Sequence, residues 1–329
     1  MDELTPEQIK SIKDKIDSML RYDEQLRIAE QNNLKKLDEL VSVVNSILKK
    51  NSINETIDKT QIKFYADYIG NISNIEDKKL SEIIFNAIYP KPLLDKYSHY
   101  TTFNGACSIL KNKEFWIFNL IKNFDAEEFR LFYEQHNITG YRDLSETFGI
   151  KTDYRSLMAE QFSLCLTSEN NTSPSLWNYF GYKGTGIKLT FEIDSHIPDF
   201  REVYYSDKNN PTQIKLISEL SQTIADKYNY IFNFSNISKI GAFYIHGKFN
   251  NEKEYRFLVK RTSDDYNAWN FEPIIFKDDI TYIVLPFESR LASFKLKKVS
   301  KGPNVSDSDF AVIKQIIKDN YNETIEIEE

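Results

Sequence analysis

Three short stretches of the chain concentrate side chains that could do chemistry. The first, 97–105, carries His99, Tyr100 and Thr101 ahead of the Asn104-Gly105 pair. His99 is one of only four histidines, and it stands where a strand pattern gives way to a helix pattern, a junction that often carries ligands. A neutral imidazole there can donate to a sugar hydroxyl, or it can simply be satisfied by backbone. The second stretch, 177–187, places Trp177, Tyr179 and Tyr182 before Gly184 and Gly186. Aromatic faces can stack on a flat heterocycle, or form core beside a turn. The spacing is not that of a dinucleotide-binding Gly-rich loop. The third, 248–257, holds Glu252 and Glu254, two residues apart, on one strand face or flanking a turn into a strand. A carboxylate at a strand entrance can stabilise a developing positive charge or act as a base; the bland alternative is a solvated charge run.

The elements that must position these residues follow from periodicity. Residues 5–49 predict helix. Thr5-Pro6-Glu7-Gln8 forms a capping box with Pro at the first helical position, and Ile9, Ile12, Ile16, Met19, Leu26, Leu37, Leu40, Val44 and Ile47 recur with 3,4 spacing. Asp23, Glu30 and Asn33 interrupt the seam, so the segment is either one long coiled-coil-like helix or a hairpin turning near 31–33. Such an arm either packs on the main domain or serves homo-oligomerisation or partner docking. A polar linker follows, helical pieces continue to about 90, and Pro90 and Pro92 mark a boundary. The expected domains are therefore a helical N-terminal region over 1–92 and an α+β domain over 93–329. Strands are expected at 116–118, 162–166, 186–191, 255–259 and 280–285, with helices at 104–112, 212–230 and 307–319. The spacing is not regular βαβ, which predicts an α+β fold with a mixed or antiparallel sheet. The acidic tail 323–329 is expected to fray.

Composition narrows the function classes. Of 329 residues, 41% are hydrophobic and 28% charged, enough apolar content for a core, which 23 Phe and 20 Tyr make aromatic-rich. Ten Gly and nine Pro argue against a Gly-rich phosphate cradle. A net charge of −7 argues against a general nucleic-acid binder held by phosphate contacts, while leaving a local basic patch open. Cys107 and Cys165 form no CxxC pair, which predicts reduced core thiols rather than disulfides or a zinc site. The polar start and the lack of an apolar run of about 18 residues predict no signal peptide, no membrane span and a cytoplasmic protein.

At the three stretches the chain resembles a large bacterial domain family of unknown function. The resemblance is carried by His99-Tyr100-Thr101 with Ile109-Leu110 and Phe115-Trp116, by Cys165 to Ser168 with Trp177, Tyr179 and Gly184, and by Lys248 with Glu252-Lys253-Glu254-Tyr255-Arg256. It spans roughly 97–260 and departs from the family at Asn123-Phe124-Asp125, where a Pro-containing turn is usual. The same order of parts is similar to ADP-ribosyltransferases of the His-Tyr-Glu type. That likeness implies an ADP-ribosyltransferase-like domain with NAD as substrate and no metal. His99, Tyr100 and Thr101 would anchor the cofactor, and Trp177, Tyr179 and Tyr182 would enclose nicotinamide. Glu254, paired with Glu252, would be catalytic. It further implies transfer to a macromolecular acceptor or to water, in a bacterial effector, toxin or antiviral-defence setting. Two other readings stay open: a non-catalytic nucleotide- or partner-binding module, and a metal-dependent nuclease.

Overall fold

The computed structural model describes residues 6–64, 68–71, 79–120, 126–136, 161–197, 199–207, 209, 213–233, 237–260, 274–277 and 280–329. In chain order the elements are α1 (Pro6–Lys50), β1 (Ile62–Phe64), β2 (Tyr68–Asn71), α2 (Lys79–Ile88), β3 (Lys96–Thr101), α3 (Phe103–Asn112), β4 (Glu114–Asn119), α4 (Ala126–Gln135) and β5 (Gln161–Ser168). They continue with α5 (Pro174–Tyr179), β6 (Ile187–Ser195), β7 (Phe200–Glu202), β8 (Tyr204–Tyr205), α6 (Lys215–Tyr228), β9 (Ile231–Asn233), α7 (Ile237–Gly241) and β10 (Tyr244–Ile245). A 3-10 turn (Gly247–Glu252), β11 (Glu254–Lys260), β12 (Ile274–Lys277), β13 (Ile280–Pro286), β14 (Ala292–Lys301), α8 (Asp307–Asn320) and β15 (Glu326–Glu328) complete the chain. The fold is mixed α+β.

The chain divides into two compact units. The first joins the residues up to Ala87 with Ile214–Ile237. Its α1 is a single helix through 31–33, so no hairpin forms there. Near its end Leu40, Val44, Ile47 and Leu48 are buried at 3,4 spacing, and Leu216, Ile217, Leu220 and Ile224 form the buried stripe of α6, which packs on α1. Glu39–Lys227 at 2.7 Å and Glu219 with Lys50 and Asn51 tie the two helices together. Two features add to the helical region expected over 1–92. Alternation in Ile62-Lys63-Phe64 makes β1 a half-buried strand, and β2 pairs in parallel with β9, so a three-stranded sheet closes this unit with chain from much later in the sequence.

The second unit, Ile88–Gln213 with Ser238–Glu329, is built on a ten-stranded sheet. Its main path runs β12-β13-β4-β5-β3-β6-β14-β15, with β11 on β5 and β7 on β11. Every pair is antiparallel except β14–β15, so the sheet is mixed. The pleat separates two faces. One carries Tyr97, Leu164, Leu166, Leu189, Phe191 and Phe257, a buried apolar layer completed by Ala106 and Leu110 of α3 and Phe310, Ile313 and Ile317 of α8. The other carries buried polar residues in register across the strands: Ser98 opposite Thr190 and Thr167, Thr167 opposite Glu254, and Cys165 opposite Arg256. Ser306 caps α8, its Oγ accepting from the Asp309 amide at 3.0 Å.

The acidic tail does not fray. Glu326–Glu328 forms the last strand because Lys298 lies between Glu326 (2.9 Å) and Glu328 (3.3 Å), and the Ser300 hydroxyl donates to Glu328 at 2.6 Å. Among the described residues, no helix is long and apolar enough to cross a membrane.

Candidate functional site

The site lies where the large sheet splits. Strand β5 gives one whole edge to β11 but shares its other edge between two strands. At one end Ser168 and Thr167 pair with Tyr97 and Ser98 of β3; at the other Ser163 and Phe162 pair with Phe118 and Asn119 of β4. Between these short ladders β3 and β4 diverge, with α3 connecting them, and a cavity of about 690 Å³ opens. Its walls come from β3, the first turns of α3, β4, the middle of β5, Phe180, Ile245 and the 3-10 turn leading into β11.

His99 bridges the gap. Its Nδ1 lies 3.0 Å from the Cys165 carbonyl, an acceptor, so Nδ1 carries the proton. Burial holds the imidazole pKa below its usual value, and the ring stays neutral. The remaining nitrogen, Nε2, is then an acceptor. Of the two readings open from sequence, donation to a hydroxyl or satisfaction by backbone, the structure shows the second for Nδ1. Phe115 packs edge-on against the ring at 5.7 Å.

Tyr100 also lines the cavity, but its hydroxyl donates to the Asn171 carbonyl at 2.8 Å, and burial pushes its pKa up to about 12. Thr101 and Thr102 follow on the wall; Thr102 caps α3, accepting from the Gly105 amide at 3.1 Å. The amino end of α3 thus borders the cavity as an electropositive feature.

The acidic wall is held in place by side chains on β5 and the loop after it. The Thr167 hydroxyl donates to the Glu252 carbonyl at 2.7 Å, and the Asn171 amide donates to Thr167 Oγ1 at 2.9 Å and to the Glu252 carbonyl at 2.8 Å. Lys253 adopts a left-handed conformation (φ 46°) that ends the 3-10 turn, so Glu252 belongs to that turn while Glu254 opens β11. The two carboxylates therefore do not share a strand face, yet both reach the cavity. The strand-face neighbour of Glu254 is Arg256, which donates to it from Nε at 2.8 Å and from Nη2 at 2.9 Å, and from Nη1 to the Ala242 carbonyl. This buried ion pair gives Glu254 a fixed orientation.

No family model, curated protein or solved structure matches this chain.

Of the residues expected from sequence, the structure brings His99, Tyr100, Thr101, Glu252 and Glu254 to one cavity. It does not bring Trp177, Tyr179 or Tyr182 there. Helix α5 ends at Tyr179, and Tyr182 and Lys183 both take positive φ, with Gly184 at φ +83°. This turn leaves Tyr179 and Tyr182 exposed at 78% and 68%. Its close seat against β3 requires glycine at 186, where a Cβ would stand 2.1 Å from the Thr101 carbonyl oxygen. The ring delivered to the cavity is Phe180. Trp177 instead packs edge-on against Tyr100 at 4.7 Å and props that side chain from behind.

Sequence reasoning missed Glu114, Trp116, Phe118 and Phe249, which also line the cavity. The signal for the first three was alternation. In β4, Phe115 and Ile117 are core, so Glu114, Trp116 and Phe118 face the other way. Among the described residues no cluster of three or more His, Cys, Asp or Glu is arranged to hold a metal ion. Cys107 and Cys165 are both free, and burial pushes both thiols up in pKa, so neither is an activated nucleophile.

Proposed function

We propose that the cavity binds NAD and that the chain is an NAD-consuming enzyme of the ADP-ribosyltransferase type, transferring ADP-ribose to a macromolecule or to water. The observation that carries this reading is that a neutral imidazole, three carboxylates and several aromatic rings, drawn from distant parts of the sequence, line one opening in the sheet. In such a reaction the bond between ribose C1′ and the nicotinamide nitrogen breaks. Its electron pair leaves with neutral nicotinamide, and the ribose becomes oxocarbenium-like until a nucleophile adds at C1′ and gives up its proton. The fixed negative charge of Glu252 and Glu254 stabilises that cation. The clamp on Glu254 suits it to electrostatic stabilisation and to accepting a ribose hydroxyl. His99 accepts a hydroxyl through Nε2, and the amino end of α3 suits the diphosphate.

The Arg256 clamp also favours a second reading, in which the cavity holds a nucleotide without turning it over. One experiment separates the two. The protein is incubated with NAD, with and without lysate and a chelator, and free nicotinamide and label transfer are measured beside NAD affinity. Turnover that Glu252→Gln and His99→Ala each reduce by about a hundredfold supports the enzyme. Affinity without nicotinamide release supports the binding module, and neither affinity nor release ends both readings.

A further inference from the structure

The aromatic wall of the cavity is Trp116, and its setting is that of a binding platform rather than of core. The indole is 44% exposed and lines the cavity. Tyr282 of the neighbouring strand stacks on it at a centroid distance of 4.8 Å and an interplanar angle of 21°, and Tyr282 is itself buried. The indole Nε1 donates to Glu114 Oε1 at 3.0 Å. The ring is thus supported on a face, tied at an edge and half open, so an incoming ring would meet a surface already ordered. A large apolar side chain held this way, its open part left uncovered among the described residues, suits a flat ligand.

The charge around it says which kind. Glu114 and Glu252 line the cavity beside Glu254, whose charge Arg256 balances from behind, and no Lys or Arg is among the described residues of the wall. Tryptophan is the best aromatic partner for a cation over its face, and an acidic, partly desolvated setting strengthens the attraction. We propose that Trp116, with Glu114 at its edge, is a stacking site for a planar cationic ring, and that it selects the oxidised pyridinium form of nicotinamide over neutral rings of the same shape. This deepens the NAD reading and rests on it for the identity of the natural ligand, but the chemistry of the platform can be tested without NAD.

The probes are 1-methylnicotinamide, a planar cation, and nicotinamide, its neutral counterpart; neither has sugar or phosphate. Affinities are measured by calorimetry and by quenching of tryptophan fluorescence for the wild type, Trp116→Phe, Trp116→Leu and Glu114→Gln, with nicotinamide release from NAD assayed in parallel. The wild type is expected to bind the cation about tenfold tighter than the neutral ring. Trp116→Leu is expected to remove that preference, Trp116→Phe to keep part of it and Glu114→Gln to weaken it. Equal affinity for the two probes, no binding of the cation, or a preference unchanged in folded Trp116→Leu overturns the inference. If NAD is turned over with Trp116→Leu unaffected, the platform fails while the enzyme reading stands. If the cation is preferred through Trp116 and NAD is not consumed, the platform stands and the enzyme reading falls.

Discussion

Replacing Glu254 by Gln should cost far more than the loss of one charged surface group. The carboxylate and the Arg256 guanidinium are 7% and 2% exposed, and two hydrogen bonds of 2.8 and 2.9 Å join them. Gln retains a single carbonyl acceptor and turns an amide NH₂ toward the other guanidinium nitrogen, so the buried Arg256 loses the countercharge that Glu254 supplies. Removing one partner of a buried pair costs about 3–5 kcal/mol. For a unit of this size that corresponds to a fall in melting midpoint on the order of 10 °C. Arg256→Met should be similarly harmful, because it strands the carboxylate. The double variant, Glu254→Gln with Arg256→Met, should cost no more than either single change, because no unpaired charge remains. Chemical denaturation of the four proteins gives the coupling directly. If each single change costs under about 1 kcal/mol and the two simply add, the clamp is not a buried ion pair, and the view of Glu254 as a carboxylate oriented by Arg256 goes with it.

Two further outcomes are expected. His136 is buried, with its Nδ1 2.7 Å from the Phe132 carbonyl, and burial brings its pKa down to about 4. The unfolded chain takes up this proton near pH 6.5 and the folded chain only near 4, so stability should fall by about 3 kcal/mol as pH drops through that interval. His136→Phe should remove that part of the slope in denaturation curves measured between pH 7 and 4; an unchanged slope would contradict the assignment. At the cavity, Phe180→Ala should weaken NAD binding roughly three- to tenfold, whereas Tyr179→Ala and Tyr182→Ala should leave it within about twofold. Titration of the three variants checks this, and the reverse pattern would return the tyrosines to the site.

The strands and helices around the cavity were largely readable from local pattern, and the partnerships between them were not. The strand-turn-helix reading of 97–112 matches β3 and α3 because Thr102 is a cap and the apolar spacing changes period there. Ile280 to Leu285 and Tyr255 to Val259 are strands for the same local reasons. What sequence alone left open depends on long-range pairing. Nothing near Ile62 announces that its small sheet will be completed by Ile231–Asn233. Nothing near Glu326 announces Lys298, whose two ion pairs turn a charged tail into a strand. In the site itself, residue type singled out His99 and Glu254, which lie at the cavity, and Tyr179 and Tyr182, which the structure leaves exposed outside it. Tyr179, Phe180 and Tyr182 are equally aromatic; Phe180 follows the buried Leu176 by one helical turn, whereas Tyr182 sits on the left-handed turn and is exposed. The Glu254–Arg256 clamp was within reach, since residues two apart on a strand share a face, and attention to Glu252 as the neighbour of Glu254 obscured it.

The opening between β3 and β4 is bounded by just two residue pairs on each side: Tyr97–Ser168 and Ser98–Thr167, and Phe118–Ser163 and Asn119–Phe162. It behaves like a garment fastened by two zips running toward each other along one strip of cloth. Its aperture changes in steps of one rung, about 3.3 Å of strand, rather than smoothly. One further rung at each end would leave only Cys165 between the ladders, and one fewer would lengthen the slot enough to admit a bulkier guest. Evolution or a designer can therefore retune what fits by altering which residues fasten at the ends of these ladders, leaving the acidic wall untouched.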